Sequence, residues 1–292
     1  MSDLLTNLKN RKKREVELLY SEPIFDIELS SKCNINCIMC PRTKLTRKHE
    51  IMSLDLIKIL IDWLPDNAKA MLCGLGEPLL NSNIFFLISS LRKRNIEVGI
   101  TTNGLLLTEN NVDMLIDCGI NLIQISFNGS SEAIYGSIMR NSSFAVIMQN
   151  LQYLSKVKTP VLALTVKLAA TTQKENISDI ANIQTLAAKL GFEVFLRNCH
   201  SRGGLLEVDG CKPNNLPGCG IFPKVTFIAA NGDILSCCQD LAGKFVLGNI
   251  RQHPFKEILK EKEFIISKDY CFPICKLCDD EYRYLLLADN II

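Results

Sequence analysis

Cys33, Cys37 and Cys40 stand in the run C-N-I-N-C-I-M-C, directly after an apolar, strand-like stretch. Three thiolates on one short loop can hold three irons of a cubane cluster and leave the fourth iron without a protein ligand. A four-cysteine cluster is closed and passes electrons, whereas a three-cysteine one keeps a position open, much as a catalytic zinc does. Zinc is the competing occupant, but its sites space cysteines as paired C-x2-4-C and close with four ligands. Seven more of the chain's 13 cysteines fall between Cys211 and Cys278, which marks a second metal-rich region. Of the rest, Cys73 and Cys118 read as small buried hydrophobes, and Cys199 lies at a strand end.

A cysteine loop needs elements to hold it. From residue 24 to 198, short apolar runs alternate with amphipathic stretches. The expected strands are 24–29, 70–75, 96–101, 121–127, 160–168 and 192–198; the expected helices are 53–64, 83–94, 108–119, 144–157 and 177–191. Ser53 and Thr108 open helices as capping residues, and Asn95, Gly119 and Gly191 close them. Strands separated by helices make parallel units with right-handed crossovers. Six units are too few for the usual eight-unit closed barrel, so the expected fold class is α/β, a partial, open β/α barrel of about six units. Its site belongs at the C-terminal ends of the strands, where the cysteine loop lies.

After residue 205 the pattern changes. Gly and Pro become frequent, and two short strands, KVTFIA and DILSCC, flank Ala230-Asn231-Gly232, a hairpin signal. A helix (PFKEILKEKEFI) and a tail, C-F-P-I-C-K-L-C, follow. The expected division is an N-terminal extension (1–23), the partial barrel (24–204) and a small C-terminal hairpin-plus-helix iron–sulfur domain (205–292).

Composition narrows the function classes. The 292 residues carry a net charge of +2, which gives no basic field for nucleic acid. The tract Arg11 to Arg14 reads as a solvated helix face. No run of 18 apolar residues is present, and charge interrupts the N-terminal stretch where a signal peptide needs its apolar core. The expectation is a cytoplasmic protein that engages no membrane.

Three strand ends carry polar turns: G-L-G-E-P (Gly74 to Pro78), T-T-N-G (Thr101 to Gly104) and I-S-F-N-G (Ile125 to Gly129). In this order, behind C-x3-C-x2-C, they resemble the radical S-adenosylmethionine (radical SAM) superfamily over nearly the whole chain. The resemblance implies a [4Fe–4S] cluster on Cys33, Cys37 and Cys40, whose open iron chelates S-adenosylmethionine. Reductive cleavage then releases a 5′-deoxyadenosyl radical that abstracts a hydrogen atom. It further implies that Gly76 and Glu77 meet the methionyl ammonium and that Asn103 lies at the cofactor. Ser126 and Asn128 would meet ribose or carboxylate, and Arg140 would pair with the carboxylate. Met39 stands where the family has an aromatic residue against adenine, and Leu75 where it has the first Gly of a Gly-Gly-Glu-Pro turn. A flavodoxin- or ferredoxin-type electron donor is implied as partner.

The C-terminal pattern resembles the twitch form of the SPASM auxiliary-cluster domain. That resemblance implies one closed auxiliary [4Fe–4S] cluster on Cys219, Cys237, Cys275 and Cys278, with structural zinc as the competing reading and Cys211, Cys238 and Cys271 left over. Within the superfamily the layout is similar to the aminocyclitol dehydrogenase of the butirosin pathway and to neomycin-type epimerases. A sugar or aminocyclitol substrate is therefore expected, touched by Arg202 or by His200 beside it, with Gly203 and Gly204 giving either a tight turn or room for it. A dehydrogenase would pass an electron to the auxiliary cluster. An epimerase would return a hydrogen atom from a thiol, for which Cys238 is the candidate. A peptide substrate is the alternative, although residues 1–23 are too few for the winged-helix module such enzymes often carry. A non-catalytic iron–sulfur carrier would need no Glu77 turn.

Overall fold

A computed structural model describes residues 2–140, 143–158, 162–208, 218–269 and 272–288. Six parallel strands carry the first part of the chain: β1 (Ile24–Ile27), β2 (Lys69–Leu72), β3 (Glu97–Thr102), β4 (Leu122–Ser126), β5 (Thr165–Thr172) and β6 (Glu193–Asn198). Helix α1 (Ser2–Tyr20) precedes them. Between the strands run α2 (Leu54–Trp63), α3 (Ile84–Lys93), α4 (Glu109–Asp117), α5 (Glu132–Met139), α6 (Phe144–Val157) and α7 (Ile180–Leu190). The Ser53 and Thr108 hydroxyls cap α2 and α4, each accepting a backbone N–H at 3.3 Å.

Alternation decides which side chains reach the site. Phe25, Ile27, Leu72, Val98, Ile100, Ile123, Ile125 and Leu168 are buried in the core beneath the helices. The intervening positions, among them Asp26, Gln124, Ser126 and Arg197, face the other side. That side is concave. Four strands separate β1 from β6, about 24 Å in a flat sheet, yet the Asp26 carboxyl on β1 feels the Arg197 charge on β6. The sheet is thus the expected partial barrel.

The C-terminal region contains α8 (Ile221–Lys224), β7 (Val225–Ile228), β8 (Asp233–Leu235), β9 (Val246–Asn249), α9 (Phe255–Ser267) and α10 (Tyr282–Ala288). Strand β7 pairs in parallel with β1, from Ile24↔Val225 to Ile27↔Ile228, and β8 and β9 follow antiparallel. The small region therefore extends the barrel sheet. Its tail also reaches the opposite edge: Asp280 pairs with Arg197, Glu281 accepts from Asn198 Nδ2 at 3.1 Å, and Asp279 accepts from the Ser201 hydroxyl at 2.8 Å.

Three expectations need correction. Strand β5 begins at Thr165, later than the apolar run at 160–168, because the buried positions Val166, Leu168 and Ala170 continue into polar Thr171–Thr172; residues 159–161 lie outside the described residues. Helix α5 was not anticipated: it is short, contains Gly136, and is secured by the Ser131 cap. The Arg11–Arg14 tract is not a fully solvated face. Arg11 pairs with Asp269 and Glu15, Lys12 with Asp269 at 2.8 Å, and of the two lysines only Lys13 is strongly exposed. No helix among the described residues is long and apolar enough to cross a membrane.

Candidate functional site

The chain leaves β1 through Ser30, whose hydroxyl bonds both the Lys32 carbonyl (3.0 Å) and the Lys32 N–H (3.1 Å). Ser31 N donates to Glu50 O, and Met52 N to Leu29 O, each at 2.9 Å, so the cysteine loop is an excursion tied at both ends. Its base is locked by Arg47, which donates to both carboxylate oxygens of the fully buried Glu28 at 2.8 and 2.5 Å. Inside the loop, Ile38 N donates to Ile138 O at 2.9 Å, and Arg42 donates to Ile35 O at 3.1 Å. Cys33, Cys37 and Cys40 are all free and half-buried. Burial pushes the Cys33 thiol up, and pushes Cys37 up to about 12, with the neighbouring thiols adding to both shifts. Three mutually repelling, partly desolvated sulfurs on one loop suit a cationic iron centre, which binds thiolate and relieves that repulsion.

The Glu77 turn is fused to this loop. Glu77 N donates to Lys32 O at 2.9 Å. A side chain at Gly76 would put Cβ 2.2 Å from Lys32 O and 2.3 Å from Ser30 O, so only glycine allows the approach. The Glu77 carboxylate is 1% exposed and accepts from Leu79 N (3.1 Å), Thr102 Oγ1 (2.8 Å) and Asn103 N (2.8 Å). Burial raises its pKa while these donors hold it down. A carboxylate offers about four lone-pair sites, so one is left for a further donor. Asn103 Nδ2 reaches Asn34 Oδ1 at 2.7 Å and approaches Cys33 Sγ at 3.8 Å. Ser126 ends β4 on the concave face. Asn128 is already engaged, its Oδ1 accepting from Thr171 N at 2.7 Å and its Nδ2 donating to Met139 Sδ at 3.4 Å. It fixes the ends of β4 and β5 to each other.

A cavity of about 1050 Å3 opens in front of the loop, with Met39, Cys40 and Arg140 on one wall and Arg197, Cys199 and His200 on another. His200 is 5% exposed, and neither ring nitrogen has a hydrogen-bond partner among the described residues. Burial, Arg202 and Arg197, in that order, bring its pKa down to about 4, against Asp280 and Asp279. Arg202 is half-buried, and burial followed by the Arg197 charge lowers its pKa. Gly203 and Gly204 behind it make a tight turn, with positive φ of 66° and 85°. Added Cβ atoms there would strike Ile274 and Leu277, so these glycines admit the Cys275–Cys278 segment and are not substrate room.

Sequence reasoning missed the floor of this barrel. Asp26, its pKa raised by burial to about 6, hydrogen-bonds Cys73, and both feel charged neighbours across the barrel. Cys73, read as a packing residue, is thus a polar partner. A charged residue amid the apolar letters of I-F-D-I was the available signal. Cys118 does behave as a small packed side chain, its thiol directed at Phe85 O at 3.4 Å.

A second, smaller cavity of about 30 Å3 is lined by Cys219, Cys237, Cys275 and Cys278, with Cys238 beside them. Four thiols from three separate segments meet there. Backbone N–H groups of Phe222 and Gln239 donate to Cys219 Sγ and Cys237 Sγ, each at 3.4 Å. Burial pushes Cys219 up to about 12 and raises Cys237 and Cys278. Arg283 staples the segments, donating to Gly218 O (2.9 Å) and Cys275 O (2.8 Å), and Glu15 of α1 accepts from Cys219 N at 2.9 Å. Four cysteines are the donor set of a closed cluster, whereas a single zinc ion is not accommodated, since no three donors among the described residues are grouped closely enough to hold one metal ion. Burial also raises the Cys238 thiol, which accepts from Gln239 Nε2 at 3.8 Å. Cys211 and Cys271 lie outside the described residues.

Comparison with known proteins gives two family matches along the chain. Residues 27–187 match the radical SAM superfamily, and residues 219–279 match SPASM, an iron–sulfur cluster-binding domain. The tungsten-containing aldehyde ferredoxin oxidoreductase cofactor-modifying protein of Pyrococcus furiosus is 27% identical over 177 residues, 58% of this chain. That match spans only 49% of the relative's length. The fold is shared with BtrN, solved in complex with AdoMet and 2-DOIA, at TM-score 0.62 and 20% identity over 88% of this chain and 93% of that one. It is shared also with Streptococcus suis SuiB bound to its precursor peptide SuiA, at TM-score 0.68 and 15% identity over 94% and 74%.

Proposed function

The chain belongs to the radical SAM superfamily, and on that premise we propose that it oxidises a hydroxyl-bearing carbon of a sugar or aminocyclitol. Its cofactors are S-adenosylmethionine and a [4Fe–4S] cluster, with auxiliary iron–sulfur in the SPASM domain. When bound, they supply a 5′-deoxyadenosyl radical able to take a hydrogen atom from carbon.

The chain's own residues bind and orient cofactor and substrate. In this reading Cys33, Cys37 and Cys40 hold the first cluster with one iron open, and Cys219, Cys237, Cys275 and Cys278 hold the auxiliary one. Glu77 accepts the methionyl ammonium on its remaining lone pair, with Gly76 keeping the turn against the loop. Met39 packs on adenine, Arg140 pairs with the methionyl carboxylate, and Asn103 and Ser126 meet the rest of the cofactor. Asn128 acts by fixing the strand ends, since its amide is already bonded.

The observation that supports the reading is His200, buried on the wall of the large cavity that the cysteine loop also lines, with Arg202 two residues further on. Arg202 suits hydrogen bonds to polyol oxygens. His200, kept neutral and without a hydrogen-bond partner among the described residues, suits acceptance of a hydrogen bond from a substrate hydroxyl and so helps to orient it. Oxidation needs an electron acceptor close to the substrate, and the four-cysteine cavity, which Cys238 also lines, is the candidate place for one. Epimerisation is the second reading, favoured by the same Cys238: burial keeps its thiol protonated, as a hydrogen-atom donor must be. A flavodoxin- or ferredoxin-type donor and a cytoplasmic setting complete the proposal.

The test is anaerobic turnover in deuterated water with aminocyclitols, sugars and peptides, followed by mass analysis. A product lighter by two hydrogens supports oxidation, and Cys238→Ala should still form it. An inverted carbon carrying solvent deuterium, lost in Cys238→Ala, establishes epimerisation. Turnover of peptides alone overturns the substrate class.

A further inference from the structure

Lys262, on α9, is 1% exposed. Its ammonium donates to Val225 O and Thr226 Oγ1, each at 2.9 Å, and lies 5.5 Å from the centre of the Phe222 ring. No ion pair to a carboxylate holds it among the described residues. An ammonium withdrawn from water costs several kcal/mol unless something of opposite charge offsets it. Burial pulls the Lys262 pKa down to about 7, and the sulfurs of Cys237 and Cys219, which are anionic when they ligate a cluster, act against that fall. Both line the four-cysteine cavity, and so does Phe222, whose ring the ammonium covers.

A cubane bound by four thiolates is an anion, and reduction adds a further negative charge. Its potential follows net charge, hydrogen bonds to sulfur and solvent exposure. A cation behind the sulfurs, in a low dielectric, favours the reduced state, and thiolate ligands in turn favour the protonated amine of Lys262. We propose that Lys262 is the buried counter-charge of the auxiliary cluster and raises its reduction potential, making it a better electron acceptor. This rests on the reading of Cys219, Cys237, Cys275 and Cys278 as cluster ligands. Lys262 touches no substrate and is a positioning residue for charge. It also gives the oxidation reading a physical basis, because an electron leaving a substrate radical needs an acceptor of sufficient potential.

The experiment is an EPR-monitored redox titration of both clusters in the reconstituted full chain, comparing wild type with Lys262→Met, Lys262→Gln and Lys262→Arg. Both neutral variants should keep their iron and move the auxiliary midpoint to more negative potential. A tenfold bias toward the oxidised state reads as about 59 mV for one electron. The N-terminal midpoint should stay in place, and Lys262→Arg should follow wild type. An unmoved auxiliary midpoint in an iron-loaded neutral variant overturns the proposal, as does an equal shift of both clusters. If neither neutral variant folds or holds auxiliary iron while Lys262→Arg does, the proposal also fails, because the charge is then a structural requirement. Wild-type protein that takes zinc in place of auxiliary iron instead sinks the ligand reading, and needs no variant to show it.

Discussion

Glu77 bonds three donors of its own chain and keeps room for a fourth, while Glu28, equally buried, is fully committed to Arg47, Leu75 N and Ala230 N. That difference separates a binding carboxylate from a structural one. Glu77→Gln retains the shape and removes the charge. A hydrogen bond to a charged group contributes about 1.5–3 kcal/mol, so affinity for S-adenosylmethionine should fall about tenfold to a hundredfold in equilibrium binding; unchanged affinity would exclude Glu77 from the site. His200 makes a prediction about stability. Its unfolded imidazole binds a proton near pH 6.5, its folded one only near 4. Stability is therefore fully present above the unfolded value and falls as the pH drops from 6.5 toward 4, by up to about 3 kcal/mol. His200→Gln should flatten that slope in thermal melts taken across this range. At this scale the sequence revealed residues that sit in a spaced run, such as the first three cysteines and Glu77. Asp26 left a signal as a charge within an apolar run, but its partners, like those of Arg197 and Lys262, were illegible because they are hundreds of atoms away along the chain.

The cysteine loop works as an element because its two ends are one short ladder and its base is an ion pair. Arg47→Ala leaves Glu28 charged, buried and short of its partner. The expected cost is on the order of 3 kcal/mol, read in chemical denaturation, with weaker iron retention at the first site. A loss within experimental error would show that the loop is held by its backbone ladder alone. The strands and most helices were legible because apolar spacing and caps are local properties. Strand β5 was displaced because an apolar run marked its approach better than its polar end. The Gly203–Gly204 turn was ambiguous for a different reason: its meaning lies in Ile274 and Leu277, which arrive from the far end of the sequence.

On the scale of the whole molecule, the C-terminal region adds β7 beside β1 and returns residues 279–281 to β6, so it touches both edges of the parallel sheet. The cysteine loop lines the larger cavity and the second cysteine group a separate, smaller one. Cys219→Ala should lose the auxiliary iron, about half of the total if both clusters are cubanes, and still form 5′-deoxyadenosine, yet make no oxidised product. Loss of 5′-deoxyadenosine formation as well would mean that the sites are not separable. The central claim is that the loop of Cys33, Cys37 and Cys40 holds a cluster with one iron open to S-adenosylmethionine. EPR of the reduced protein, with and without S-adenosylmethionine, tests it most directly. The account predicts that the cofactor perturbs the signal of a cluster that vanishes in Cys33→Ala; a spectrum indifferent to the cofactor, or one that survives the substitution, would contradict it.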